Sequence, residues 1–141
     1  DSQKTENINE LDTYQEIKER LGVSAVKKRE KPENMYLERY IIDEEQRYAV
    51  LFYNYNDEII KYSIYLNDSD SSFGQREPDE LLDKYVIESN NVIINVEEYS
   101  VEENEKYRYI AEFAYRDVNY QLKGIMEKDE FNNIIKNLGF L

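Results

Sequence analysis

Cysteine and histidine are both missing from the sequence, and only four glycines and two prolines occur in it. Without a thiol or an imidazole, cysteine nucleophiles, histidine general bases, disulfides and nearly every zinc site are excluded together. So few glycines leave little room for a phosphate cradle. No Walker loop, dinucleotide fingerprint or Gly-x-Ser-x-Gly elbow is present. Apolar runs are too short to span a bilayer, and no charged-then-apolar signal segment opens the chain. Asp1 in place of Met reads as a processed or trimmed start, which leaves room for an upstream signal or anchor.

Positive charge is the other shortage. Eighteen Lys and Arg stand against 31 Asp and Glu, for a net charge of -13. That balance repels phosphate backbones and anionic membrane surfaces, so neither nucleic acid nor membrane is an expected partner of this segment. It favours solubility and speeds encounter with a basic protein. Composition alone, with 35% charged and 40% hydrophobic residues, approaches the disordered regime. What argues for a folded chain is the presence of 14 Tyr and five Phe, mostly in alternating segments, where an aromatic ring buries a large area and keeps one edge wet.

The 141 residues suit a single domain, residues 1–141, with residues 1–8 disordered and 67–78 forming a mobile loop. Leu11, Tyr14, Ile17 and Leu21 recur at helical spacing ahead of Gly22, predicting an amphipathic helix closed by a left-handed glycine. The basic, proline-bearing stretch from Lys27 to Asn34 reads as a connector. Segments Met35–Ile42, Arg47–Tyr55 and Glu58–Leu66 then form a predicted three-strand meander. In the third, Ile60, Tyr62, Ile64 and Leu66 share one face while Lys61 and Ser63 share the other, the pattern of a sheet with one side buried. Asp79–Lys84 is expected to be a short helical turn. Three further strands are predicted over Asn91–Tyr99, Lys106–Arg116 and Val118–Gly124, the last two joined as a hairpin. Phe131, Ile134, Ile135 and Leu138 predict a closing helix stopped by Gly139. Strands in runs, flanked by two helices, point to an α+β fold: a curved antiparallel sheet of about six strands with an N-terminal and a C-terminal helix packed on it.

The residues from Tyr109 through Arg116-Asp117 to Leu122, followed by Glu127-Lys128-Asp129-Glu130-Phe131 and Ile134-Ile135-Lys136-Asn137-Leu138, are similar to a known family. The pattern is a strand ending in an aromatic residue, an acidic turn, a Tyr-x-Leu strand and a closing helix. It resembles the family of domain of unknown function 4367. The N-terminal part, with its helix over Tyr14–Leu21, its proline-bearing linker and its strands from Tyr36 to Leu66, resembles that family too. The resemblance implies an extracytoplasmic domain behind a membrane anchor in low-GC Gram-positive bacteria, some members being fused to anti-sigma-factor segments. It brings no catalytic motif.

Candidate chemistry is sparse. Adjacent acids such as Glu97-Glu98 and Glu102-Glu103 are expected by chance among 31 carboxylates, and a glycosidase pair would need a sugar-shaped cleft between them. Asp68, Asp70, Ser72 and Asp79 have the outline of a calcium loop, but Phe73 stands where the sharp turn demands Gly and Asp79 where a bidentate Glu belongs. No catalytic, cofactor-binding or metal residue is therefore assigned, and no cofactor is expected. The remaining feature is the tyrosines. Tyr53, Tyr55, Tyr62, Tyr65, Tyr107, Tyr109 and Tyr115 form a candidate binding face for a protein, a peptide or a small apolar ligand, because Tyr offers area and a hydroxyl at low entropic cost. Cross-strand packing accounts for them equally well. The expectation is a non-enzymatic extracytoplasmic binding or sensory module. Its rival is an acidic, immunity-type protein that blocks a basic partner.

Overall fold

The computed structural model describes residues 9–23, 27–28, 34–66, 80–89, 91–101 and 107–139. The segments 1–8 and 67–78, and the whole calcium-loop outline from Asp68 to Asp79, lie outside the described residues.

Helix α1 (Glu10–Leu21) starts where the Asn9 side chain accepts the Asp12 backbone N–H, and ends at Gly22, whose φ of 77° is open to glycine at no steric cost. It buries Thr13, Tyr14, Ile17 and Leu21. Leu11, expected on the same stripe, is instead 65% exposed, because the helix turns its face toward Thr13. Helix α2 (Lys128–Lys136) buries Phe131, Ile134 and Ile135. It stops earlier than its apolar spacing implies, at the C-cap Asn137. Leu138 and Gly139 form a short strand, β9, antiparallel to β1 (Lys27–Lys28), so the expected connector after α1 is tied to the chain beyond α2.

Seven strands make one antiparallel sheet: β2 (Met35–Asp43), β3 (Tyr48–Tyr55), β4 (Glu58–Tyr65), β5 (Leu81–Ser89), β6 (Val92–Ser100), β7 (Tyr107–Tyr115) and β8 (Val118–Met126). Their spatial order is β2-β3-β4-β8-β7-β6-β5, so two meanders meet where β4 pairs with β8. The turns explain the register. Tyr55 pairs with Glu58 and Tyr115 with Val118, across Asn56-Asp57 and Arg116-Asp117, all four with positive φ. That is the geometry of a two-residue hairpin whose twist matches the strands.

The strand count is seven rather than six because β5 covers the place where a helical turn was expected over Asp79–Lys84. Its first residues, Leu81-Leu82-Asp83-Lys84, are all exposed, and a border strand with one weakly buried face shows no period in sequence.

The registers sort every side chain to one of two faces. Leu37, Leu51, Tyr53, Ile60, Tyr62, Leu122, Ala111 and Val96 share the face covered by the helices, and these residues with Ile17, Phe131 and Ile135 are one core cluster. Among the described residues the opposite face bears no helix, yet it is not simply wet. Ser63, expected to face solvent, is only 1% exposed, packed in a row with Val50 and Gln121.

Candidate functional site

On the helix-bearing face, sheet tyrosines reach polar groups of the helices. Tyr53 and Tyr14 share a hydroxyl–hydroxyl bond of 2.8 Å, and the Tyr53 hydroxyl also donates to the Glu10 carboxylate. Tyr55 donates to Glu130 in α2. Tyr40 donates to Glu16 at 2.7 Å, and Tyr85 to the Asn132 side-chain oxygen at 2.7 Å. Each ring lies in the apolar layer while its hydroxyl meets the wetter flank of a helix, so these residues seat the helices on the sheet. Two polar atoms of the described residues are buried without a hydrogen-bond partner, the Tyr109 hydroxyl, whose ring stacks on Phe131, and Ser63 Oγ.

Burial sets the protonation of these rings. It raises the Tyr14, Tyr53 and Tyr109 hydroxyls well above the ordinary phenol value, and holds Tyr55 and Tyr120 at about 12. At neutral pH none of them is a phenolate. The Glu16 carboxyl is lowered instead, first by the Tyr40 hydroxyl and then by Arg20.

Of the seven tyrosines expected on one face, the structure places Tyr53, Tyr55, Tyr62, Tyr109 and Tyr115 on the helix-bearing side, with Tyr107 at its border. Tyr53, Tyr62 and Tyr109 are buried in full, so in this arrangement they offer no surface to a ligand. Tyr65 stands on the opposite face, its ring 5.5 Å from Tyr48.

The surface that does stand open was not singled out from the sequence. Among the exposed large apolar residues, Tyr36, Ile41, Ile59, Leu81, Val86 and Ile93 all project from the helix-free face. Arg39 lies over the Phe52 ring at 3.8 Å beside them, a cation–π contact. Charge is balanced there. The face carries Arg39, Lys61, Lys84, Arg108 and Lys123 against Asp43, Glu88, Glu97 and Glu112, so the chain's surplus of acid lies elsewhere. The signal that could have found this face is the pair of apolar residues Ile41 and Ile59, out of phase with the core-side positions Tyr40, Ile42 and Ile60 of their own strands. It becomes readable only once the registers are known.

Among the described residues, no group of three or more Asp or Glu side chains is placed to hold a metal ion, and no helix is long and apolar enough to cross a membrane. A family model described as Domain of unknown function (DUF4367) matches residues 26–138. Neither a curated protein nor a solved structure matches the chain.

Proposed function

The chain belongs to the DUF4367 family, whose model takes in all seven strands of the large sheet together with α2, and from that footing we propose a non-enzymatic, extracytoplasmic module that binds a partner protein through the helix-free face. The observation that carries this reading is the segregation of exposed apolar side chains. Six of them stand on the face that the helices leave uncovered, in a protein whose other face is filled. They stand in two sets, Tyr36, Ile41 and Ile59 on β2 and β4 and Leu81, Val86 and Ile93 on β5 and β6, and neighbouring exposed apolar residues of that kind are what contact surfaces have, whereas singly scattered ones mean little. Balanced charge around them suits a partner with a mixed, partly apolar surface. The extracytoplasmic setting rests on the resemblance described above.

The rival, an acidic protein that blocks a basic one, would use another surface. The exposed side of α1 carries Asp12 and Glu19, with Glu10 and Glu16 at its flanks bonded to sheet tyrosines, whereas the helix-free face is electrically even.

A photoreactive residue placed at Ile59, and separately at Leu11 on α1, tests both in intact native cells. The reading expects an adduct with a second protein from Ile59 and none from Leu11. Adducts from Leu11 alone would favour the acidic rival, and silence at Ile59 would overturn the proposal. Protease added to the same intact cells is expected to digest the protein; full protection would place it inside.

A further inference from the structure

Among the described residues the sheet does not close and has two borders, β2 and β5. Each presents a row of backbone N–H and C=O groups to which another strand can add. The two borders are not alike. The β2 register breaks between Leu37 and Arg39, and such a bulge twists a border away from pairing. In β5 the break falls at the start, between Leu81 and Asp83, and the register with β6 then runs unbroken from Asp83 to Ser89. Val86, in the middle of that run, is 59% exposed.

The direction of the outward backbone groups follows from the ladder. Ser100 donates its N–H to the Glu80 carbonyl at 3.0 Å, so the even-numbered residues of β6, Glu98, Val96, Ile94 and Val92, turn their backbone groups to β5. Antiparallel pairing alternates, so Ser89, Ile87, Tyr85 and Asp83 turn their N–H and C=O toward β6, while Glu88, Val86 and Lys84 turn theirs outward. These three also share the helix-free face, opposite Ile93, Asn95 and Glu97.

Read in opposite directions, Lys84-x-Val86-x-Glu88 is complementary to itself. A two-fold axis at Val86 sets Val86 against Val86 of the second copy, and each Lys84 against the other copy's Glu88, all in hydrogen-bonded pairs. Of the other registers open to the same outward groups, centring on Lys84 or on Glu88 opposes like charges, and a two-residue slip removes both ion pairs. Opposite charges directly across strands are favourable and like charges are not.

We propose that β5 pairs with β5 of a second copy of this chain, antiparallel about Val86, joining two seven-stranded sheets into one. The interface is isologous, so it closes after two copies instead of growing into a filament. Backbone hydrogen bonds and the burial of Val86, with Ile93 diagonal to it, supply the attraction. The charges choose the register. Lys84 already lies 3.7 Å from Glu97 on its own sheet, and exposed ion pairs add little stability. The net charge of -13 on each copy opposes association at long range, so the pairing is a concentration-dependent equilibrium.

Sedimentation of the full chain over a range up to millimolar concentration tests this, with circular dichroism confirming that each variant folds. The wild-type chain is expected to form a dimer. Glu88→Lys alone and Lys84→Glu alone are each expected to raise the dimer dissociation constant about tenfold or more. An equimolar mixture of the two variants is expected to recover dimer, because two cations on one strand then meet two anions on the other. Glu88→Lys leaves the Lys84–Glu97 contact in place, so agreement between the variants separates the pairing from that local contact. A chain that stays monomeric throughout, a dimer indifferent to both variants, or a mixture that fails to recover would each overturn the proposal. The Ile59 cross-link reports on the far side of the sheet, so either result can fail without the other.

Discussion

Tyr53 and Tyr109 have the same side chain, the same degree of burial and places on the same sheet face, but they differ in what the hydroxyl meets. Removing a hydroxyl that holds two partners leaves those partners buried and short of a bond, whereas removing an unpartnered hydroxyl only relieves its desolvation. Tyr53→Phe is therefore expected to lower stability by about 1–2 kcal/mol, and Tyr109→Phe to raise it by about 1 kcal/mol. Chemical denaturation of the two variants checks the sign directly, and equal signs would mean that the hydroxyls are not distinguished in solution. Gly124 makes a steric case at the same scale. A Cβ there would stand 3.0 Å from Ile60 Cγ1 and 3.1 Å from Met126 Cε, so Gly124→Ala is expected to cost about 1–3 kcal/mol by overpacking, read as a lower unfolding midpoint. None of this was legible in the sequence. Alternation identifies the parity of a tyrosine, but the acid that bonds Tyr53 lies 43 positions away, in a helix whose placement the local pattern does not specify.

Elements were legible to the extent that their signals are local. The left-handed closure of α1 at Gly22 and the Asn56-Asp57 and Arg116-Asp117 hairpins depend on a few adjacent residues, and each stands where the sequence predicts it. Strand β5 failed that test because half of its signal is contributed by a neighbour. Only Tyr85 and Ile87 turn to the core from its middle, against α2 and Ile94, while the leading Leu81-Leu82 is exposed and the trailing Glu88-Ser89 is polar. That the seven tyrosines do not share one open face was not legible for a related reason, since the side of the sheet that the helices take is decided by packing of Ile17, Phe131 and Ile135 and by no single motif. The seating of α1 carries a pH dependence with a definite sign. Glu16 accepts from Tyr40 and from Arg20, and Arg20 reaches on to Glu44 at the β2–β3 turn. The folded carboxyl lies below its ordinary 4.5, so its contribution is present in full above that value and is lost as pH falls through the lowered folded one. Glu16→Gln is expected to lower stability modestly at neutral pH and to flatten that part of the profile in acid, so that the variant and the wild-type chain converge as pH falls. An unchanged acid limb in the variant would show that the carboxylate bonds do not help hold α1.

Across the whole molecule the same linkage runs in the opposite direction on the alkaline side. Tyr14, Tyr53, Tyr55, Tyr109 and Tyr120 are all raised above the phenol value of 10.0, with burial the largest cause in every case. A phenol that keeps its proton more tightly when folded contributes its full stability below the unfolded value, and loses it as pH climbs from there toward the folded one. These five rings belong to α1, β3, β7 and β8, on both sides of the β4–β8 junction, so ionising any of them puts a charge into one shared core. The chain's net charge of -13 adds repulsion that grows with every tyrosinate formed. Titration followed by phenolate absorbance is therefore expected to show these buried rings ionising above 10.0, in a steep step that coincides with loss of the sheet's circular dichroism. A single broad transition of all 14 tyrosines centred near ten, with the sheet intact, would mean that water reaches the core rings and that the two helices do not seal that face.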